Sequence, residues 1–216
     1  MKTDSQLQHN VIEELKFEPS VDHSQIGVTA HKGVVTLSGF VPNYAQKLAA
    51  ERAARRVYGV KGIAQEIEVR FPFDPKTSDA EIARRILDVF SWDCSIPDDK
   101  FTVKVEHGIV TLNGKAEWNY QKEEASWAAS RISGVKSVVN LIEVAARSTT
   151  HDIRDRIMAA FKRSSTLDAN AIDVTVDGGT VRLTGRVHGW NERKVAENAA
   201  WAAPGVAQVE DNIVLV

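Results

Sequence analysis

The stretch Gly33-Val34-Val35-Thr36-Leu37-Ser38-Gly39 decides the fold, because the chain contains it three times. It returns as Gly108-Ile109-Val110-Thr111-Leu112-Asn113-Gly114 and as Gly179-Thr180-Val181-Arg182-Leu183-Thr184-Gly185, at offsets of 75 and then 71 residues. Twenty residues after each closing glycine stands a glycine–valine pair: Gly59-Val60, Gly134-Val135 and Gly205-Val206. The same offsets lay Leu7, Val11 and Leu15 on Ile82, Ile86 and Phe90, and these on Ile153, Ile157 and Phe161, with no gap inside a unit. Self-similarity at a fixed period marks tandem copies of one structural unit. A chain of 216 residues would by length be one or two ordinary domains. The repeat makes it three, over residues 1–71, 76–146 and 147–216.

Each unit opens on a helix. Leu7, Val11 and Leu15 stand at i, i+4 and i+8, one face of a helix, and their counterparts do the same. Thr3 with Gln6 and Ser78 with Glu81 have capping-box spacing, and Thr149 with Asp152 is a weaker version. Two strands follow. Ile26, Val28 and Ala30 alternate with polar or small residues, as do Phe101, Val103 and Val105, and Ile172, Val174 and Val176. The pairs Lys32-Gly33, His107-Gly108 and Gly178-Gly179 supply the hairpin turn. The return strand buries Val35 and Leu37 and their counterparts. Gly39, Gly114 and Gly185 fall on that inward face, where a glycine marks a bulge or a close approach by a helix. A second helix, rich in alanine at Ala50, Ala53 and Ala54, leads to a third strand through Ile63, Ile67 and Val69. The fold class is therefore α+β: three tandem α-β-β-α-β units, each a small three-stranded mixed sheet packed with two helices. A β-α-β crossover makes the last two strands of each unit parallel. Gln65, Asn140 and Asp211 interrupt the inward alternation of the third strand at equivalent places, which predicts a bulge there.

Composition limits what the chain can do. Lys plus Arg is 27 and Asp plus Glu is 29, so no basic surplus exists for general nucleic-acid binding. A single cysteine, Cys94, allows no internal disulfide and no cysteine-based metal cluster, and reads as a partly buried, inert thiol. The six histidines include no i, i+4 pair of a helical zinc site. Met1 to Asn10 is mostly polar, unlike a secretory signal, and no window approaches the roughly 18 apolar residues of a membrane span. The expectation is a cytoplasmic protein, or a periplasmic one if a precursor segment was removed. Eleven positions are identical in all three units, and all are apolar or glycine. The repeated element is thus a fold, with no shared acid, base or nucleophile. No catalytic residue, metal site or cofactor is expected.

The sequence resembles the BON domain family, named for bacterial osmotic-stress and nodulation proteins. The resemblance rests on Gly33-x-Val35-x-Leu37-x-Gly39, the alanine-rich helix and Gly59-Val60, with their counterparts in the other two copies, and it covers essentially the whole chain. It implies a phospholipid-binding or transport-associated, stress-linked interaction module.

Two surface features stand beside this. Tyr44, Trp118, Tyr120 and Trp190 cluster between the second strand and the second helix of their units. Tyrosine and tryptophan suit surfaces where one edge is apolar and the other wet. Arg52 and Arg56 lie on the first alanine-rich helix and could meet anionic head groups. These six residues are the candidate contact set. The reading is a non-enzymatic, stress-linked binding or scaffolding protein that engages a phospholipid surface or a partner protein through three similar modules. Multivalency would raise the avidity of weak single sites. The alternative is a small-ligand or cation-binding protein.

Overall fold

The computed structural model describes residues 3–72, 78–145, 153–165 and 167–216. The first repeat holds α1 (Asp4–Phe17), β1 (Ile26–His31), β2 (Val34–Val41), α2 (Tyr44–Arg56) and β3 (Gly62–Val69). The second holds α3 (Asp79–Trp92), β4 (Phe101–Glu106), β5 (Ile109–Ala116), α4 (Asn119–Ser130) and β6 (Ser137–Val144). The third holds α5 (Ile153–Arg163), β7 (Ile172–Asp177), β8 (Thr180–Val187), α6 (Trp190–Trp201) and β9 (Gln208–Leu215). Each repeat has its own three-stranded sheet, ordered β1-β2-β3, β4-β5-β6 and β7-β8-β9. β1 runs antiparallel to β2, and β3 parallel to it; β7, β8 and β9 repeat that pattern. The mixed sheet expected from the crossover is the one observed. The chain packs as two compact units, Met1–Asn113 with Glu124–Leu141 and Gly114–Glu123 with Ile142–Val216, so the middle repeat contributes to both.

In the first unit, Thr3 caps α1 by the predicted box. Its hydroxyl accepts from the Gln6 backbone N–H at 3.3 Å, and the Gln6 side-chain oxygen Oε1 accepts from the Thr3 backbone N–H at 3.1 Å. Leu7, Val11 and Leu15 are buried against Val35, Leu37 and the alanine face of α2. The small side chains at Ala49, Ala50, Ala53 and Ala54 let that helix lie close to the sheet. Ser78 caps α3 by accepting from the Glu81 N–H, but the Glu81 carboxylate turns to Arg84 and Arg85, so the box is half made. In the second unit, Ile153, Ile157 and Phe161 of α5 bury against Val181, Leu183 and the alanines of α6. The Thr149–Asp152 pair lies outside the described residues.

Lys32 and Gly33 both take positive φ, 49° and 84°, as a type I′ hairpin requires. In the third repeat, Gly178 at 57° carries the only positive φ of the Gly178-Gly179 pair, the pattern of a type II′ turn.

Two expectations are corrected. Gly39 marks no bulge, and the helix that approaches it is the short 3-10 turn His23–Gln25 rather than α1 or α2. The β1–β2 register runs unbroken to Ile26↔Gly39, and the backbone that comes close is that of Gln25, just ahead of β1. The third strand also has no bulge at Gln65 or Asp211: pairing is continuous from Val34↔Gly62 to Val41↔Val69 and from Thr180↔Gln208 to Val187↔Leu215. The polar residue stays in register because its own side chain ties back to the strand. Gln65 Oε1 accepts from the Ile67 N–H at 3.3 Å, and Asp211 Oδ1 from the Ile213 N–H at 3.0 Å.

Candidate functional site

Most arginines on the helices are held by carboxylates. Arg56 donates from Nε to Glu14 at 2.7 Å and from Nη2 to Glu18 at 2.9 Å, tying α2 to α1. Arg55 pairs with Glu51 one turn back. Arg84 donates to Glu81 and Asp88, and Arg85 to Glu81. The Arg84 and Arg85 guanidiniums hold the Glu81 carboxyl down at about 2, from 4.5. A carboxyl depressed in the folded state stabilises fully above about 4.5, and that contribution fades as pH falls toward 2. A carbon-detected NMR titration of Glu81 is expected to give a midpoint near 2, and the Arg84→Ala, Arg85→Ala double variant a midpoint moved back toward 4.5. A wild-type midpoint at 4.5 would show the ion pairs to be absent in solution.

Arg52 differs from these neighbours. It lines a cleft of about 390 Å³ in the first unit, between the start and middle of α2 and the C-terminal end of α4. Arg131 lines the same cleft, its guanidinium carbon 4.4 Å from the centre of the Trp127 ring. Ser130 fixes the chain there by donating its hydroxyl to the Trp127 carbonyl at 2.6 Å. Asn43, the N-cap of α2, accepts from the Gln46 N–H at 2.9 Å. Gln46 in turn accepts from the Asp22 N–H at 3.2 Å. Among the described residues, neither Arg52 nor Arg131 has a carboxylate partner.

The predicted contact residues are distributed as follows. Tyr44 is the first residue of α2 and half-buried. Arg52 lines the cleft, and Arg56 is committed to Glu14 and Glu18. Trp118 is half-buried just ahead of α4, its backbone N–H donating to Gln121 Oε1 at 3.1 Å, and Tyr120 is 55% exposed. Trp190 opens α6, half-buried, with the Arg193 guanidinium 5.4 Å from its ring centre. The first three lie in the first unit and the last three in the second.

Sequence reasoning missed the cleft residues Trp127, Arg131, Asn43 and Gln46. It also missed two protruding aromatics, Phe17 at 83% and Trp92 at 89% exposure, the last residues of α1 and α3. A signal for them existed: the 75-residue offset lays Phe17 on Trp92. Such a pair sits at the solvent-facing end of a helix twice over, where burial cannot explain it. Cys94 is exposed rather than partly buried, since it follows Asp93 in the turn after α3.

The cation alternative loses its best donor. Asp211 Oδ2 accepts from Arg193 Nε at 2.6 Å, so that carboxylate is already neutralised. Among the described residues, no group of three or more His, Cys, Asp or Glu is placed to hold a metal ion, and no helix is long and apolar enough to cross a membrane.

Comparison with known proteins identifies the repeated unit. Residues 3–70, 78–146 and 149–216 each match the family model described as the BON domain. Osmotically-inducible protein Y of Escherichia coli (strain K12) is 30% identical over 146 residues, which span 63% of this chain and 70% of that protein. Two solved structures of CdsD, a structural protein of the type III secretion system of Chlamydia trachomatis, align at TM-scores of 0.27. One, its C-terminal domain, is 14% identical and covers 100% of both chains. The other is 16% identical over 96% of this chain and 91% of its own. A TM-score this low does not establish a shared arrangement. With all three repeats matched by the family model, the chain belongs to the BON domain family.

Proposed function

We propose that this chain is a non-enzymatic, stress-linked binding protein that engages the surface of an anionic phospholipid membrane. The observation that carries the reading is the pair Phe17 and Trp92, almost fully exposed at equivalent helix ends of two repeats. A large aromatic held out in water costs free energy that burial at an interface recovers, roughly 1.5–3 kcal/mol for a fully buried large apolar side chain. Tryptophan in particular favours the headgroup level, where its ring and its N–H find different surroundings. Tyr44, Trp118, Tyr120 and Trp190 are proposed as further contacts, with Arg52 and Arg56 as electrostatic support. The charges of Arg52 and Arg131, free of carboxylates, remain available to phosphate head groups at about 1 kcal/mol each near the surface. Arg56 contributes less, because Glu14 and Glu18 already neutralise it. The stress link rests on family membership and on the osmotic inducibility named in the Escherichia coli relative. The non-enzymatic reading rests on the eleven identical positions, which preserve packing and turns and supply no chemistry.

Tryptophan emission tests the contact directly. With phosphatidylglycerol vesicles the emission is expected to shift to shorter wavelength, and the Phe17→Ala, Trp92→Ala double variant is expected to bind about tenfold more weakly while its far-UV spectrum stays unchanged. Undiminished binding by the double variant would remove these helix ends from the contact surface and leave the membrane contact to Tyr44, Trp118, Tyr120 and Trp190.

A further inference from the structure

The cleft along α2 has a hydrogen-bonding inventory of one sign. Asn43 and Gln46 each use the side-chain oxygen on a backbone N–H, at 2.9 Å and 3.2 Å. A terminal amide whose oxygen is fixed this way keeps its NH2 group as the free end. Arg52 and Arg131 add two guanidiniums without carboxylate partners. The Ser130 hydroxyl has already given its proton to the Trp127 carbonyl. No aspartate or glutamate lines the cleft. The site therefore offers two forked cations and two amide donors, and it lacks any anionic acceptor to satisfy them.

Such a set selects an anion with more than two oxygens. A carboxylate is satisfied by one guanidinium fork, whereas a phosphate group presents three terminal oxygens and a charge near −2 above pH 6, enough for both forks and the amides. Beside Gln46 and Arg52, α2 also gives the cleft an apolar wall, built from Ala45, Leu48 and Ala49. That wall suits the organic part of an ester better than a bare inorganic ion. A volume of about 390 Å³ falls within the range of small-ligand sites. The Trp127 ring, stacked with Arg131, holds that guanidinium in place before any ligand arrives, which reduces the ordering cost of binding.

We propose that this cleft is a binding site for phosphate monoesters. It stands on the donor inventory alone and does not depend on the membrane reading, although the ester could come from a soluble metabolite or from a lipid head group. The repeats themselves supply a safe substitution: the third carries Asn198 where the first has Arg52, and Ala202 where the second has Arg131. The Arg52→Asn, Arg131→Ala double variant places residues that a sister copy of the same fold already tolerates.

The full chain is titrated with glycerol 3-phosphate by calorimetry and sedimented with phosphatidylcholine vesicles containing phosphatidic acid. Saturable binding of glycerol 3-phosphate, weakened about tenfold or more in the double variant, is the expected result. Arg55→Ala, which removes an arginine already paired with Glu51, is expected to bind as the wild type does. Sedimentation with phosphatidic acid that depends on the two arginines, without binding of the soluble ester, would support the site and assign its source to lipid. Binding of neither probe, or binding that the double variant retains, would overturn the proposal. If phosphatidylglycerol vesicles fail to bind while glycerol 3-phosphate binds, the membrane reading falls and the cleft assignment stands.

Discussion

Gly39→Ala is expected to destabilise the first repeat severely. Gly39 sits at φ +109°, a backbone conformation that side-chain-bearing residues rarely adopt. A Cβ there would also drive into the carbonyl oxygen of Gln25. The obstacle is backbone, so no side-chain rotation relieves it. Either β1 must separate from β2 at Ile26 or the approach segment must move. Strain and collision together are expected to cost about 3 kcal/mol or more. A domain of ~70 residues holds a total stability of roughly 4–10 kcal/mol, so the loss is a large part of it. Gly185→Ala should do the same in the third repeat, since its Cβ would meet the Ala171 carbonyl at φ +146°. Gly189→Ala is the control: it has open space around it and an extended φ of −161°, and should cost within about 1 kcal/mol. Hydrogen exchange at the β1–β2 amides reads the first variant. Native-level protection there would show that Gln25 gives way at little cost.

Phe161→Ala is expected to have the second large effect. The ring is fully buried among Ile153, Ile157 and the inward residues of β7, β8 and β9. Removing it deletes the transfer free energy of most of a ring and leaves a cavity that a sheet and two helices cannot fully close. The expected cost is about 3–5 kcal/mol, against roughly 1 kcal/mol for Phe161→Leu, which refills much of the space. Loss of protection at the β7–β9 amides in the alanine variant, with protection largely kept in the leucine variant, is the predicted outcome. Equal protection in both would mean that the third repeat is held by something other than this core.

Which parts of this molecule the sequence reveals follows from the range of the interactions. Leu7, Val11 and Leu15 announce a helix face because 3.6-residue periodicity is local. Val35 and Leu37 announce a strand for the same reason, and the copies repeat the message three times. The parallel pairing of β2 with β3 follows from the length of the crossover between them. The misreadings involve contacts that no local period encodes. Gly39 was legible as a special position, but its neighbour Gln25 is set by how the chain enters β1. Gln65 resembled a bulge because a polar residue on an inward face can satisfy itself by bending the strand or by bonding to its own backbone, and pattern alone does not distinguish these. Arg56 looked free because Glu14 and Glu18 lie 42 and 38 residues away in the chain. Arg52 and Arg131 share a cleft although they belong to different repeats. The repeats keep what builds the scaffold and vary most of what faces outward, so comparing the copies reveals the fold and, beyond the Phe17–Trp92 match, little of the function.

The most direct measurement is co-sedimentation of the intact protein with anionic and with neutral vesicles, at low and at physiological salt. The account predicts binding to phosphatidylglycerol vesicles that weakens as salt rises, because exposed charges are screened within a Debye length of about 8 Å at physiological ionic strength. It predicts little binding to phosphatidylcholine alone. Absence of binding to anionic vesicles at low salt would contradict it, and so would equal binding to both kinds.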